Sequence, residues 1–245
     1  NNEHRITNSI SFLTNAFLDY DITKNLTLKI RGSISNNSLD NERFYNTRTP
    51  LGSKLNTANL RGVNGFYSHS ERGSWSNENT ITYRNKFNRI HTLTLLGGMS
   101  MQEYYGKLYS FSVMNLPNED LGMYGFDEGT PYLADAYGSE SSQMSFFGRV
   151  DYDYKSRYLL TATLRADGSS RFSPQNRWGY FPSAAFAWNM SNEDFMKNIP
   201  AISTSKIRVS YGHTGNNRIG EYQYLSTMGM NIAASYSFNN TTPIL

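Results

Sequence analysis

Met144–Arg165 reads MSFFGRVDYDYKSRYLLTATLR, and its side chains alternate in character from one residue to the next. Met144, Phe146, Val150, Tyr152 and Tyr154 are apolar; after Lys155-Ser156-Arg157 the same parity resumes with Tyr158, Leu160, Ala162 and Leu164. The opposite parity carries Arg149, Asp151 and Asp153, then Thr161, Thr163 and Arg165. A two-residue period places alternate side chains on opposite faces of a strand, so this stretch predicts an antiparallel hairpin with one apolar and one polar face. Pairing around Ser156 sets Asp151 opposite Thr161 and Arg149 opposite Thr163.

The unit recurs on both sides. Ile10, Phe12, Ala16, Leu18 and Tyr20 lead through residues 22–25 into Leu26, Leu28, Ile30 and Ile34, with Thr27, Lys29, Arg31 and Ser33 on the other face. Trp75, Ile81 and Tyr83 lead through Arg84-Asn85-Lys86 into Phe87, Leu93, Leu95, Gly97, Met99 and Met101, although Arg89 and His91 share parity with that apolar set. Trp178, Tyr180, Ala184, Phe186 and Trp188 run into residues 191–195, where Ser191 and Asp194 are expected to cap a short helical turn. Ile207, Val209 and Tyr211 follow. The expectation is an all-β chain of about eight strands, arranged as four hairpins. Long polar segments, expected as outer loops, fall at about 36–73, 103–142, 168–177 and 215–245.

Composition narrows the setting. The 245 residues include no cysteine, which excludes disulfides and thiolate metal sites. The net charge of +3 is dispersed, so a nucleic-acid partner is not expected. Mean hydropathy is −0.58 and no apolar run approaches the ~18 residues of a spanning helix, but this leaves spanning strands untouched. A spanning sheet must pair its backbone around a closed ring and alternate apolar residues over strands of about 9–11 residues. Tyr20, Tyr83, Phe87, Tyr154, Tyr158 and Trp188 lie beside the short turns, as an aromatic girdle would require. The expected fold is therefore an antiparallel transmembrane β-barrel segment. A soluble β-sandwich binding module or a surface adhesin is the alternative, and it would bury Leu18, Leu28, Val150 and Leu160 between two layers. Short turns on the periplasmic side leave both chain ends on the outer side, the pattern of an arc of a larger ring.

Arg157–Phe172 (RYLLTATLRADGSSRF), with Arg177–Ser183 (RWGYFPS), resembles the barrel of the SusC/RagA-type TonB-dependent transporters of Bacteroidota. So does Lys206–Gly212 (KIRVSYG), continuing through Thr214-Gly215-Asn216 to Ile219–Tyr222. The resemblance implies that residues 1–245 are part of a TonB-dependent receptor β-barrel domain of about 22 strands, without the plug domain, the signal sequence or the TonB-contacting segment. It implies a multi-pass protein of the bacterial outer membrane that actively imports an oligosaccharide or a peptide. The implied partners are a SusD-like surface lipoprotein, TonB acting through the plug, and outer-membrane lipid.

Catalysis is not expected, and neither is a cofactor or metal. His4, His69, His91 and His213 are scattered, and no nucleophile elbow or phosphate-loop spacing occurs. Gly212-His213-Thr214-Gly215-Asn216 reads as a strand-to-loop turn, and Asp167-Gly168-Ser169-Ser170 reads as a turn before it reads as a cation cradle. Lys29, Arg31, Arg149, Asp151, Arg165 and Arg208 are expected to face the lumen, solvated or paired with the plug. On the outer segment 117–139, Tyr124, Phe126, Tyr132 and Tyr137 stand beside acidic groups, a combination suited to stacking on and orienting a sugar or peptide, or to docking the lipoprotein.

Overall fold

A computed structural model describes residues 3–198, 202–226, 237–238 and 242–243. Eight strands form one antiparallel sheet in chain order: β1 (Glu3–Thr23), β2 (Leu26–Tyr45), β3 (Asn64–Phe87), β4 (His91–Met114), β5 (Thr130–Tyr154), β6 (Tyr158–Ser169), β7 (Trp178–Asn189) and β8 (Lys206–Gly212). β9 (Ser237–Phe238) and β10 (Thr242–Pro243) form a separate ribbon. The sheet does not close on itself, and β1 and β8 are its two margins.

Register assigns each face. Leu28 pairs with Tyr20 and Ile81, Ile81 with Gly97, Gly97 with Gly148, Gly148 with Leu164 and Leu164 with Pro182. One rung lower run Tyr83, Leu95, Val150, Ala162, Ala184 and Tyr211. No second layer covers these side chains among the described residues: Leu18 is 56% exposed, Val150 44% and Leu160 50%. Water would penalise so large an apolar surface, whereas hydrocarbon would not. The sandwich that would bury Leu18, Leu28, Val150 and Leu160 is therefore not formed.

Aromatic rungs bound the apolar belt. On the turn side His91 packs on Tyr152 and Tyr154, and Tyr158 stacks on Tyr154, Phe186 and Trp188. At the far edge Trp75 donates from Nε1 to Glu103 Oε2 (2.7 Å), and Trp178 stacks on Phe146. The strand from His91 to Glu103 advances roughly a dozen residues, which at ~45° tilt is about 28 Å, close to the apolar height of an outer-membrane barrel.

Several expectations need correction. The second turn is not at Arg84–Lys86; β3 continues to Phe87, and Asn88 and Arg89 turn with φ of 46° and 61°. Ile90 N–H donates to Phe87 O (3.1 Å) across Asn88 and Arg89, and since Phe87 pairs with His91 the hairpin loop is the three residues 88–90. Arg89 thus leaves the strand, which removes it from the apolar parity. Lys155 and Ser156 repeat the geometry, with φ of 55° and 53°.

The segments 36–73 and 103–142 are not loops throughout. β2 and β3 continue past the belt to Tyr45 and from Asn64, and β4 and β5 to Met114 and from Thr130, so the irregular connections shrink to 46–63 and 115–129. Once above lipid neither face needs apolar residues, so the alternation disappears while the backbone ladder persists. The connection 168–177 is shorter by two residues, and part of 215–245 lies outside the described residues. Ser191 does not cap a helix: its Oγ donates to Ser205 O (3.1 Å) and accepts from Ser205 N–H, while Met190–Asn192 and Asp194–Asn198 form 3-10 turns.

Candidate functional site

The face opposite the apolar belt is a polar ladder. Lys29 pairs with Asp19 (3.2 Å), and Arg31 stands opposite Phe17 and Glu78. Arg149 Nη2 donates to Asp151 Oδ1 (2.9 Å), which also accepts from Thr161 Oγ1 (2.7 Å). Asp151 faces Thr161 and Arg149 faces Thr163, the register read from the sequence. Arg165 Nε donates to Asp167 Oδ1 (2.6 Å), its Nη2 donates to Ser145 Oγ (2.9 Å), and its guanidinium lies 5.4 Å from the Phe147 ring centre. Arg208 pairs with Ala187 on the marginal strand β8, on the same parity. All six residues thus lie on the polar face, and Lys29, Arg149, Asp151 and Arg165 are engaged with neighbouring wall residues.

A feature that the sequence reading missed lies across this face. Residues 213–224, expected as a strand-to-loop turn and, from 215, an outer loop, fold back over β5–β7 as a strap. His213 N–H donates to Pro182 O (3.0 Å), Asn217 Nδ2 donates to Gln143 Oε1 (3.3 Å), and Arg171 Nη2 donates to Glu221 Oε1 (2.8 Å). Gly215 sits on the Phe181 ring so closely that a Cβ there would come within 2.4 Å of it. The only sequence signal was Gly215 within Gly212–Asn216, where a residue without Cβ is needed for this close approach. Strap and wall enclose a cavity of about 420 Å³ bordered by Gln143, Arg165, Asp167, Phe181 and Asn216. Asp167 was read as part of a turn; it lies within β6, its carboxylate held by Arg165.

At the outer end the four aromatic candidates are not brought together. Phe126 belongs to the 3-10 segment Glu119–Glu128, meets Phe111 edge-on (5.6 Å between centroids), and packs with Met123 against buried Phe44, Val63, Val113 and Leu116. A Cβ on Gly65 would come within 2.3 Å of the Phe126 ring, so Phe126 fills a structural socket. Tyr124 on the same segment is 95% exposed. Tyr132 is the extra residue at a bulge in β5, and Arg61 lies 4.7 Å over its ring. Tyr137 pairs with Leu108 on the parity of the polar ladder and is exposed.

Electrostatics tie this outer end together. Glu119 accepts from Thr47 N–H (2.7 Å) and Thr47 Oγ1 (2.9 Å), and these bonds hold its carboxyl below the usual range. Asp40 lies 2.8 Å from His69 Nδ1 and accepts from Tyr67 OH (2.8 Å), and is likewise lowered. Glu140 is raised, through the hydrogen bond it shares with Glu103 and that group's charge. On the turn side Glu193 accepts from Tyr158 OH (2.7 Å), Trp188 Nε1 (3.1 Å) and Arg157 Nη1 (2.8 Å), and is held low by them. It pins the 190–198 turns to the Lys155–Arg157 turn.

Comparison with known proteins adds names to this geometry. No protein-family model matches the chain. TonB-dependent receptor P26 of Formosa agariphila is 32% identical over 237 residues, covering 94% of this chain and 23% of that protein. TonB-dependent receptor SusC of Bacteroides thetaiotaomicron is 44% identical over 108 residues, covering 43% of this chain and 11% of that protein. Among solved structures, the RagAB peptide transporter superposes with a TM-score of 0.85 at 24% identity, over 97% of this chain and 26% of that one. The chain thus spans about a quarter or less of the relatives it matches.

Proposed function

The chain is a barrel segment of the SusC/RagA type of TonB-dependent receptor, and on that premise we propose that it forms part of the wall of an outer-membrane importer for a large nutrient, an oligosaccharide or a peptide. The observation that carries this reading is the two-sided sheet: an uncovered apolar belt between aromatic rungs, and a polar, charge-paired ladder behind it. The belt suits outer-membrane lipid, with the strands crossing it repeatedly. The ladder suits a water-filled lumen or the surface of a plug.

Energy would come from TonB acting through the plug of the whole protein, and a SusD-like lipoprotein would cover the outer rim. Lys29, Arg31, Arg149, Asp151, Arg165 and Arg208 would line the passage, most of them acting through pairs that keep the wall rigid and hydrated. Tyr124, Tyr132 and Tyr137 would contact cargo or the lipoprotein at separate points of the outer rim, whereas Phe126 would anchor its own segment to the wall. No covalent step is assigned.

Deleting the full-length gene and measuring uptake of labelled oligosaccharides and peptides tests the reading. Uptake of one class should disappear, and it should also stop when TonB is depleted. Uptake indifferent to both perturbations would sink the proposal. In the full transporter, Tyr132→Ala with Tyr137→Ala should weaken cargo binding; unchanged affinity would remove these two residues from the cargo site.

A further inference from the structure

β5 is paired with β4 along its whole length, from Thr130 to Tyr154, but with β6 only from Gln143 to Tyr154. At the step, Ser142 N–H donates to Ser170 Oγ (2.8 Å) and Ser170 N–H donates to Ser142 O (2.9 Å), which closes the shorter hairpin. Above it, among the described residues, one side of β5 has no strand neighbour, and residues 133–138 are all exposed. An unpaired row of N–H and C=O groups is a template for another strand, and proteins usually blunt it with lysine, proline, a bulge or brevity.

Here the blunting devices sit only at the outer end, where Pro131 and the bulged Tyr132 mark a limit. From Leu133 to Ser139 the strand is regular, carries no lysine or proline, and holds one charge, Asp135. The location separates this edge from the margins β1 and β8. Those cross the apolar belt, where bare backbone groups are intolerable and a permanent neighbour is required. The β5 edge stands above the belt in water, where an occupant can come and go.

The side chains indicate the occupant. On the lumen parity the edge presents Leu133, Asp135 and Tyr137; on the other it presents Ala134, Ala136 and Gly138, small enough to leave the approach open. We propose that Leu133–Ser139 is a receiving edge for an imported peptide, which adds to the sheet as an extended strand and sets a lysine or arginine beside Asp135. This rests on the import reading and narrows it to peptide cargo. A sugar chain has no regular row of N–H and C=O groups with which to continue the ladder.

The test uses the full-length transporter with its lipoprotein and the probe acetyl-Val-Thr-Leu-Lys-Val-Thr-Val-amide. Two further probes carry backbone N-methyl groups at the odd or at the even positions. An added strand turns the N–H of every other residue toward β5, so one methylated probe should lose about tenfold or more in affinity while the other binds like the parent. Hydrogen exchange at residues 133–139 should slow on binding, and Asp135→Asn, an isosteric change, should weaken the parent about fivefold. Equal binding of both methylated probes, protection confined to other residues, or no binding of the parent would each overturn the proposal. A transporter that fails these tests yet still takes up its nutrient through TonB in cells would leave the import reading standing and remove only the peptide edge.

Discussion

Leu164→Arg tests which medium touches the apolar face. Leu164 shares a rung with Gly148 and Gly97, and this rung lies midway between the His91–Tyr154–Tyr158 girdle and the Glu103–Ser142 edge of the belt. Leu164 is 57% exposed, so an arginine would clash with nothing in the sheet. The cost would come from the surrounding medium: at the midplane of an outer-membrane barrel about 2–4 kcal/mol, or roughly 30- to 900-fold in the folding equilibrium. Leu160 lies on the rung next to the girdle, where the same substitution should cost about 0–1 kcal/mol. Thr163 faces the polar ladder opposite Arg149, and Thr163→Arg should be near neutral apart from mild repulsion. The assay is guanidinium unfolding of the full-length transporter in phosphatidylcholine vesicles, followed by tryptophan fluorescence. A cost that ranks Leu164 above Leu160 and Leu160 above or equal to Thr163 supports the belt. If Thr163→Arg costs as much as Leu164→Arg, or Leu164→Arg is silent, the lipid-facing assignment is wrong.

Two other outcomes are expected. Leu116→Ala, in the buried cluster with Phe44, Val63 and Val113, should cost about 2–5 kcal/mol locally and expose loop 46–63 to protease without altering the belt. Glu140→Gln should raise the melting temperature of the outer end near pH 7. The folded state raises the Glu140 pKa, so the stability that Glu140 contributes is present below its unfolded pKa and lost as pH rises through the folded one. The advantage of the glutamine should therefore vanish below about pH 4; equal melting at both pH values would contradict the shared hydrogen bond with Glu103.

The belt was legible because lipid imposes a strict two-residue rule there. Val150, Leu160 and Leu164 obey it, and the Asp151–Thr161 register followed from the turn at Lys155–Ser156. Above the belt that rule lapses. Asn36, Asn37 and Ser38 are polar on both faces, as are Glu71 and Arg72, so the sequence resembles a loop although the backbone stays paired. The misplaced turn at Arg84–Lys86 has a related cause: Asn88-Arg89 carries no glycine to announce positive φ. The strap was illegible for a different reason. Its contacts, such as Asn217 with Gln143, join residues far apart in the chain and leave no periodic trace. Phe126 shows the limit for single residues, since an aromatic side chain beside carboxylates reads alike whether it fills a socket or greets a ligand.

The outward continuation of β2–β5 has a mechanical consequence. About eleven residues of each rise beyond the Trp75 rung, which at the same slant makes a palisade of roughly 25 Å, comparable to the hydrocarbon it stands on. Among the described residues β6 and β7, half as long, stop short of this palisade, so its height steps down sharply at β5 and the load of the tall strands falls on one side of the arc.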